Sequence, residues 1–494
     1  MRLAELIADL AVQQVDGDTE VEIADLVYDS REATPGALYL CVRGERTDGH
    51  EFAGSAVKRG AVALVTDTRL DLDVTQVRVA DVRAAMAPLA VRFWGDPSRE
   101  LRLAGITGTN GKTTTAFLLR GILESRGTRT GLLGTVKRIV GGVDEEVVRT
   151  TPESIDLQRT FRRMLDADDE ACAMEVSSHA LAYGRTAGIH FDVKVFTNLT
   201  QDHLDFHADM EDYFLSKRLL FTAQPDEGAA RPGTAVVNVD DDYGRRLANE
   251  LRDESAVPLT FSPHGRDADF RATDVEFGAG GTRFRCHGPG GVVDVETPLP
   301  GHFNVENALA ALAAAHALGI DAESAASALS AAERVPGRFE PVDEGQGFAV
   351  LVDYAHTPDS LDNVLRAARL ITEGRVICVF GCGGDRDRDK RPLMGRIAAE
   401  LSDLAVVTSD NPRSEDPEAI IAEILTGAGE EGVEVEPDRR AAIAMALDSA
   451  GPGDTVVIAG KGHEQGQEFE DGRKIPFDDR QVAREELHNL TTAA

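Results

Sequence analysis

The chain has 494 residues, 42% of them hydrophobic, enough at roughly 150 residues per core for about three domains. Lys plus Arg numbers 52 against 85 for Asp plus Glu, and the formal charge of −33 disfavours nucleic acid and anionic membranes as partners. No apolar run approaches the ~18–20 residues of a membrane span, and the five scattered cysteines, an odd set, make no disulfide framework.

The first element is a short surface helix. Leu3, Leu6, Ile7 and Leu10 fall on one helical face, and Glu5 and Asp9 interrupt the apolar run, unlike a secretory signal. The protein is therefore read as cytoplasmic, without membrane insertion. Strands are expected at Leu26-Val27-Tyr28, at Ala37 to Val42 and at Ala61 to Val65, before the turn-prone Gly95-Asp96-Pro97-Ser98. A second domain opens at Leu101 and runs to the Ala-rich helix Ala308 to Leu318 and the helix after it. Val335-Pro336-Gly337 is a hinge into a third domain, which repeats strand-then-helix from Phe348. The expectation is an α/β protein of three domains: 1–98, 99–334 and 335–494, the central one a P-loop-type, mostly parallel sheet and the last Rossmann-like. Cys378 and Cys382 are four apart but have no second Cys or His pair for zinc, so all five thiols, with Cys41, Cys172 and Cys286, are read as buried.

One pattern recurs. Apolar strands end in polar or Gly-rich turns: Ile106 into Thr107-Gly108-Thr109, Met174 into Glu175, Phe196 into Thr197-Asn198 and Leu351 into Asp353-Tyr354. The same occurs at Phe380 into Gly381-Cys382-Gly383, at Val407 into Asp410-Asn411, and at Ile458 into Gly460-Lys461-Gly462-His463-Glu464. Open α/β sheets bind ligands at the carboxyl ends of their strands, which predicts a large site at a domain junction. With so acidic a chain, anionic ligands require the basic residues to be concentrated in pockets.

The strongest local signal is Gly105-Ile106-Thr107-Gly108-Thr109-Asn110-Gly111-Lys112-Thr113-Thr114 between a strand and a helix. Glycines let backbone N–H groups wrap a phosphate, and the helix directs its positive end there. Lys112 is placed to reach the terminal phosphates and the Thr113 hydroxyl to meet Mg²⁺. The first Gly of the general P-loop pattern falls here at Ile106. Glu175, at a strand end, is either a magnesium carboxylate or a capping acid. His203 and His207, four apart beside Asp202 and Asp205, are either metal ligands or satisfied histidines of a polar helix start.

In order, Thr107 to Thr113, Glu175-Val176-Ser177-Ser178-His179, Asn198 to His207, Gly301 to Ala308, Gly337-Arg338-Phe339-Glu340 and Asp353 to Pro358 resemble the Mur ligases, which build the peptide stem of bacterial cell-wall precursors. Asp29-Ser30-Arg31, Thr150-Thr151-Pro152, Gly383-Gly384-Asp385-Arg386 and Asp410-Asn411-Pro412-Arg413 resemble the branch that adds meso-diaminopimelate as the third stem residue. The resemblance implies a monomeric, ATP- and Mg²⁺-dependent ligase acting on UDP-MurNAc-L-Ala-D-Glu. In it, Gly108, Thr109, Asn110, Gly111, Lys112, Thr113 and Thr114 cradle the phosphates. Asn307, Arg338 and Asp353 hold the rest of ATP, and Thr113, Glu175, His203 and a carbamylated Lys217 (N6-carboxylysine) serve the metal. Lys112, Glu175, His203 and Lys217 are the catalytic set. Ser30, Thr150, Thr151, Ser178 and Arg185 hold the UDP-dipeptide; Arg386, Asp410, Asn411, Pro412, Arg413, Gly460 and Glu464 hold diaminopimelate. Tyr183 stands where several relatives carry Gln. A lysine-adding relative, folylpolyglutamate synthetase and a plain P-loop ATPase are the alternatives; Arg413 and its neighbours argue against each.

Overall fold

Along Ala37–Leu40 successive side chains face opposite ways, as strand periodicity requires. Leu38 and Leu40 pack with Val65, Val77 and the helices Leu3–Leu6 and Val82–Trp94; Tyr39 packs with Leu64, Ala53 and Ala56 on the other face. The result is a sheet in the order Val12–Asp16, Thr75–Val79, Ala63–Thr66, Ala37–Leu40, Asp25–Val27, parallel except for its first pair. The three expected strands are present with ends shifted by a residue or two. The N-terminal helix is shorter than its apolar face suggested, because the chain turns after Leu6 to enter the strand Val12–Asp16.

The computed structural model describes all residues except 45–46, 223–232, 255, 279–280, 430 and 494. The chain forms two units: Met1–Gly105, Gly127–Asp192 and Leu219–Gly233 in the first, and Ile106–Arg126, Val193–Arg218 and Thr234–Ala494 in the second. The N-terminal sheet belongs to the first, as do the strands Ala171–Glu175, Thr130–Leu133, Arg138–Val140 and Val143–Glu145, which neighbour one another in that order.

In the second unit, Val193–Phe196, Thr234–Asn238, Leu259–Ser262 and Phe270–Gly278 run parallel, followed by antiparallel Gly281–Gly288 and Gly291–Thr297. The helix His302–Ala317 buries every residue from Asn307 to Ala315, and its alanines let it lie against the helix Lys112–Ser125. A second sheet of this unit has the order Glu340–Pro341, Ala349–Asp353, Thr455–Ala459, Val376–Phe380, Leu404–Val407, Val433–Val435, all parallel after the first pair. Alternate residues feed two cores: Leu351, Cys378, Phe380 and Val407 on one face, Val352, Ile377, Val406 and Ile458 on the other. The class is α/β, and the five cysteines are buried free thiols. Among the described residues no helix is long and apolar enough to cross a membrane.

Candidate functional site

The strand Arg102–Thr107 leads through a glycine loop into the helix Lys112–Ser125, and from Ile106 onward this stretch belongs to the second unit. Gly108 and Gly111 have φ of 149° and 86°. A Cβ at Gly108 would lie 1.9 Å from Thr197 Oγ1, and one at Gly111 2.3 Å from Asn307 Oδ1, so the loop closes only with glycine at both positions. Lys112 Nζ donates to the carbonyls of Gly108 and Thr109 at 3.0 and 2.8 Å. It therefore curls back over the loop from the first residue of the helix. The Asn110 amide N–H donates to Asn198 Oδ1, and Thr109 Oγ1 accepts from the Thr200 amide. A loop so braced, with a lysine over it, fits a phosphate chain.

Beside it lies a cleft of about 330 Å³, lined by Asn110, Gly111 and Thr114, by Asn307 and Phe303, and by Arg338, Asp353 and Asp359. It therefore gathers residues from both sides of Val335-Pro336-Gly337. Two hydrogen bonds at the cleft join residues before and after this segment: Asn110 Nδ2 donates to Asp359 Oδ2 at 2.7 Å, and Arg338 Nη2 donates to Thr113 Oγ1 at 3.1 Å. Asp353 Oδ2 accepts from the Phe339 amide; burial pushes its carboxyl up to about 6, against the pull of Arg338. Burial likewise raises Glu306 on the cleft wall to about 8, although Asn198 Nδ2 donates to it at 2.7 Å. Glu306 and Asp359 were missed in the sequence because each acts through a partner far along the chain.

Lys217, in the helix Met210–Thr222, is 1% exposed. Its Nζ donates to the Gly108 carbonyl at 2.8 Å and lies over the Tyr213 ring. Burial and then Lys112 push its pKa well below the ordinary lysine value, while Asp202 opposes them. Neighbouring residues alone assign this lysine no role; the fold brings it against the glycine loop at Gly108. Burial pushes the Asp202 carboxyl up, but His203, Lys390 and His356 together hold it below its usual range. His203 Nε2 lies 3.3 Å from Asp202 Oδ2. His207 Nδ1 lies 3.4 Å from Asp212 Oδ2, and its ring packs on Tyr213. Among the described residues no group of three or more His, Cys, Asp or Glu forms a metal cage. Magnesium does not require one, since it keeps water and phosphate oxygens around one or two protein groups.

At the carboxyl ends of Thr455–Ala459 and Leu404–Val407, Asn411 Nδ2 donates to Glu464 Oε2 at 2.9 Å. Asp410 and Asn411 are buried, and a Cβ at Gly460, which has φ 119°, would stand 2.7 Å from Asp410 Oδ2. Arg413 adopts φ 52°; its Nε donates to Glu468 and its Nη1 to the Gly384 carbonyl at 2.7 Å. Glu415, two residues on, is held instead by Arg391 through Nη1 and Nη2. The Pro412 carbonyl abuts Gly384. Arg386 is more exposed, its nearest acid Asp205 at 4.0 Å.

The remaining expected residues lie in the first unit. Glu175 is buried, and its two oxygens accept from the amide and hydroxyl of Thr135. Thr151 Oγ1 donates to the Glu175 carbonyl and accepts from the Ser177 amide, while Thr150 Oγ1 meets Thr135 Oγ1 at 3.0 Å. Ser178 is buried at the start of the helix Ser178–Ala182, and Ser30 is buried after the strand Asp25–Val27. Arg185 Nε lies 3.0 Å from Glu153, which also pairs with Arg83 and Arg149. Three guanidiniums on one buried carboxylate leave a net positive centre in an acidic chain, and the Tyr183 ring lies beside Arg83 and Arg185. A separate cleft of about 470 Å³ in this unit is lined by Arg31, Arg138, Arg149, Thr150, Arg159 and Arg163, among others. Asp29, Glu32 and Asp156 line the same cleft, and its arginines are paired: Arg31 with Asp29, Arg159 with Asp156, Arg149 with Glu153, and Arg138 and Arg163 with Glu145.

Family models match three consecutive segments: "Mur ligase family, catalytic domain" over 22–105, "Mur ligase middle domain" over 106–315, and "Mur ligase, glutamate ligase domain" over 337–462. The chain is 49% identical over 499 aligned residues to a UDP-N-acetylmuramoyl-L-alanyl-D-glutamate--2,6-diaminopimelate ligase of Streptomyces coelicolor, covering 98% of this chain and 96% of that one. A solved structure of a ligase of the same name superposes with a TM-score of 0.68 at 31% identity, over 99% of each chain. A MurF ligase of Thermotoga maritima in complex with ADP shares the fold at 20% identity, with a TM-score of 0.63 over 95% of this chain and 98% of that one.

Proposed function

Because the chain belongs to the Mur ligase family, we propose that it joins meso-diaminopimelate to UDP-MurNAc-L-Ala-D-Glu at the expense of ATP, in peptidoglycan precursor synthesis. The observation that carries the amino-acid assignment is Arg413, whose guanidinium is braced by Glu468 and Gly384 beside Asn411 and Glu464. Diaminopimelate differs from lysine by a far carboxylate, which a planar guanidinium binds with two parallel hydrogen bonds. Arg386, Asp410, Pro412 and Gly460 complete the proposed site.

In the proposed reaction the γ-carboxylate of D-Glu attacks the γ-phosphate of ATP, whose bond to the β–γ bridging oxygen breaks so that ADP leaves. The resulting acyl phosphate is attacked by the amine of diaminopimelate, and phosphate leaves through a tetrahedral intermediate. A carboxylate needs this activation because its oxygen is a poor leaving group. Lys112 and the loop amides Gly108 to Thr114 offset the charge of the phosphates, and Asn307, Arg338 and Asp353 hold the nucleoside end. Mg²⁺, when bound, supplies charge neutralisation between the two anions. Thr113, Glu175, His203 and Lys217 are the residues proposed for it. Lys217 serves in that set only as a carbamate, since an ammonium repels the ion. Ser30, Thr150, Thr151, Ser178 and Arg185 are proposed for the UDP-dipeptide. The division at 1–98, 99–334 and 335–494, the cytoplasmic location and the monomeric state belong to the same proposal. Closure about Val335-Pro336-Gly337 keeps water from an acyl phosphate that hydrolyses readily.

The test is phosphate release from ATP with the UDP-dipeptide and a panel of amino acids. Release stimulated by meso-diaminopimelate and not by lysine is the expected result; preference for lysine, or release independent of any amino acid, overturns it.

A further inference from the structure

Lys461 stands on the turn after the strand Thr455–Ala459, between Gly460 at φ 119° and Gly462 at φ 53°. A Cβ at Gly460 would lie 2.7 Å from Asp410 Oδ2, and one at Gly462 2.6 Å from the Gly337 carbonyl oxygen. Packing on both sides therefore fixes the path of this turn. The Lys461 side chain is fully buried, which is costly for an ammonium unless it is paired and hydrogen-bonded.

Its Nζ donates to Asn411 Oδ1 at 2.8 Å and to Glu464 Oε2 at 2.9 Å. Asn411 Oδ1 also accepts from the Glu468 amide at 3.0 Å, and Asn411 Nδ2 donates to the same Glu464 Oε2 at 2.9 Å. An ammonium only donates. Lys461 must therefore meet the oxygen of the Asn411 amide, which turns the NH₂ toward Glu464. Glu464 Oε2 then receives two donors, whereas Oε1 has the longer 3.5 Å contact from the Tyr354 hydroxyl.

We propose that Lys461 is a positioning residue for the amino-acid substrate. By setting the Asn411 amide and anchoring one oxygen of Glu464, it leaves Oε1 as the fixed acceptor for the substrate ammonium. It touches neither the reacting amine nor the phosphates. The proposal rests on the reading of this cluster as the diaminopimelate site.

Lys461→Met keeps the buried stem and removes the donor. Steady-state kinetics should show KM for meso-diaminopimelate raised by about tenfold or more, with KM for ATP and the UDP-dipeptide and kcat within about threefold of wild type. Asn411→Ala should raise the same KM, and the double variant should be no worse than the worse single, because both disturb one acceptor. Lys461→Gln, which can still donate to Asn411, should recover part of the loss. An unchanged diaminopimelate KM, equal changes in all three KM values, or effects that multiply in the double variant would overturn the proposal. If neither Lys461→Met nor Lys461→Gln unfolds cooperatively, the ammonium is a structural requirement and the positioning role is wrong. The wild type assayed beside them separates the two readings: failure to use diaminopimelate sinks the function, whereas normal use with an unaffected Lys461→Met sinks only the role of Lys461.

Discussion

At the residue scale the phosphate loop makes the sharpest demand. Lys112 Nζ donates to the carbonyls of Gly108 and Thr109, which holds its ammonium over the loop. Lys112→Ala should cost at least ~10²-fold in turnover while the protein still unfolds cooperatively; near-normal turnover sinks the assignment. Lys217 is buried beneath that loop, against Gly108. Lys217→Ala should be nearly inactive and partly rescued by a short carboxylate, and ¹³C-labelled bicarbonate should give a carbamate signal in the wild type alone. A wild type without that signal under turnover conditions would refute carbamylation. Arg413 is held by Glu468 and Gly384 through its Nε and Nη1. Arg413→Ala should raise the diaminopimelate KM far more than the ATP KM, and Arg413→Lys should not restore it, since an ammonium lacks the fork. Equal shifts in both constants would mean that Arg413 merely supports the turn.

At the element scale, the helix His302–Ala317 brings Glu306 to the cleft wall, where burial raises its carboxyl to about 8. A carboxyl whose folded-state pKa lies above its unfolded value contributes stability that is complete in acid and is lost as pH rises through the folded value. Between about pH 5 and pH 9 the wild-type Tm should therefore fall relative to that of Glu306→Gln, whose neutral amide does not titrate. Parallel Tm profiles would show that Glu306 ionises freely. The same helix shows why its company was hidden: Asn198, the donor to Glu306, lies 108 residues away.

At the scale of the whole molecule, nucleotide should act as a clasp on the second unit, since the cleft draws residues from before and after Val335-Pro336-Gly337. A ligand bound only to the folded state stabilises it by about 2.7 kcal/mol at one hundred times its Kd. Mg²⁺ and ADP should raise the Tm of the wild type, and Lys112→Ala should lose most of that rise. A full rise in the variant would place the nucleotide elsewhere.

The sequence by itself determined the α/β class, the phosphate loop and the strand ends that carry polar groups, because these depend on neighbours within a few residues: glycines before Lys112, an apolar run before Glu175, a proline before Arg413. It did not reveal the strands Val12–Asp16 and Thr75–Val79, whose polar residues mask the alternation. Nor did it show that Arg413 answers to Glu468, that Asn110 reaches Asp359 from 249 positions away, or that Lys461 orients Asn411. The two histidines four apart looked equivalent, yet His203 meets Asp202 and His207 meets Asp212. The long-range pairings of Asn110, Arg413 and Lys461 belong to the tertiary structure alone, because the energy of a buried charge depends on which partner the folded chain brings to it, and a partner 50 or more positions away leaves no local pattern.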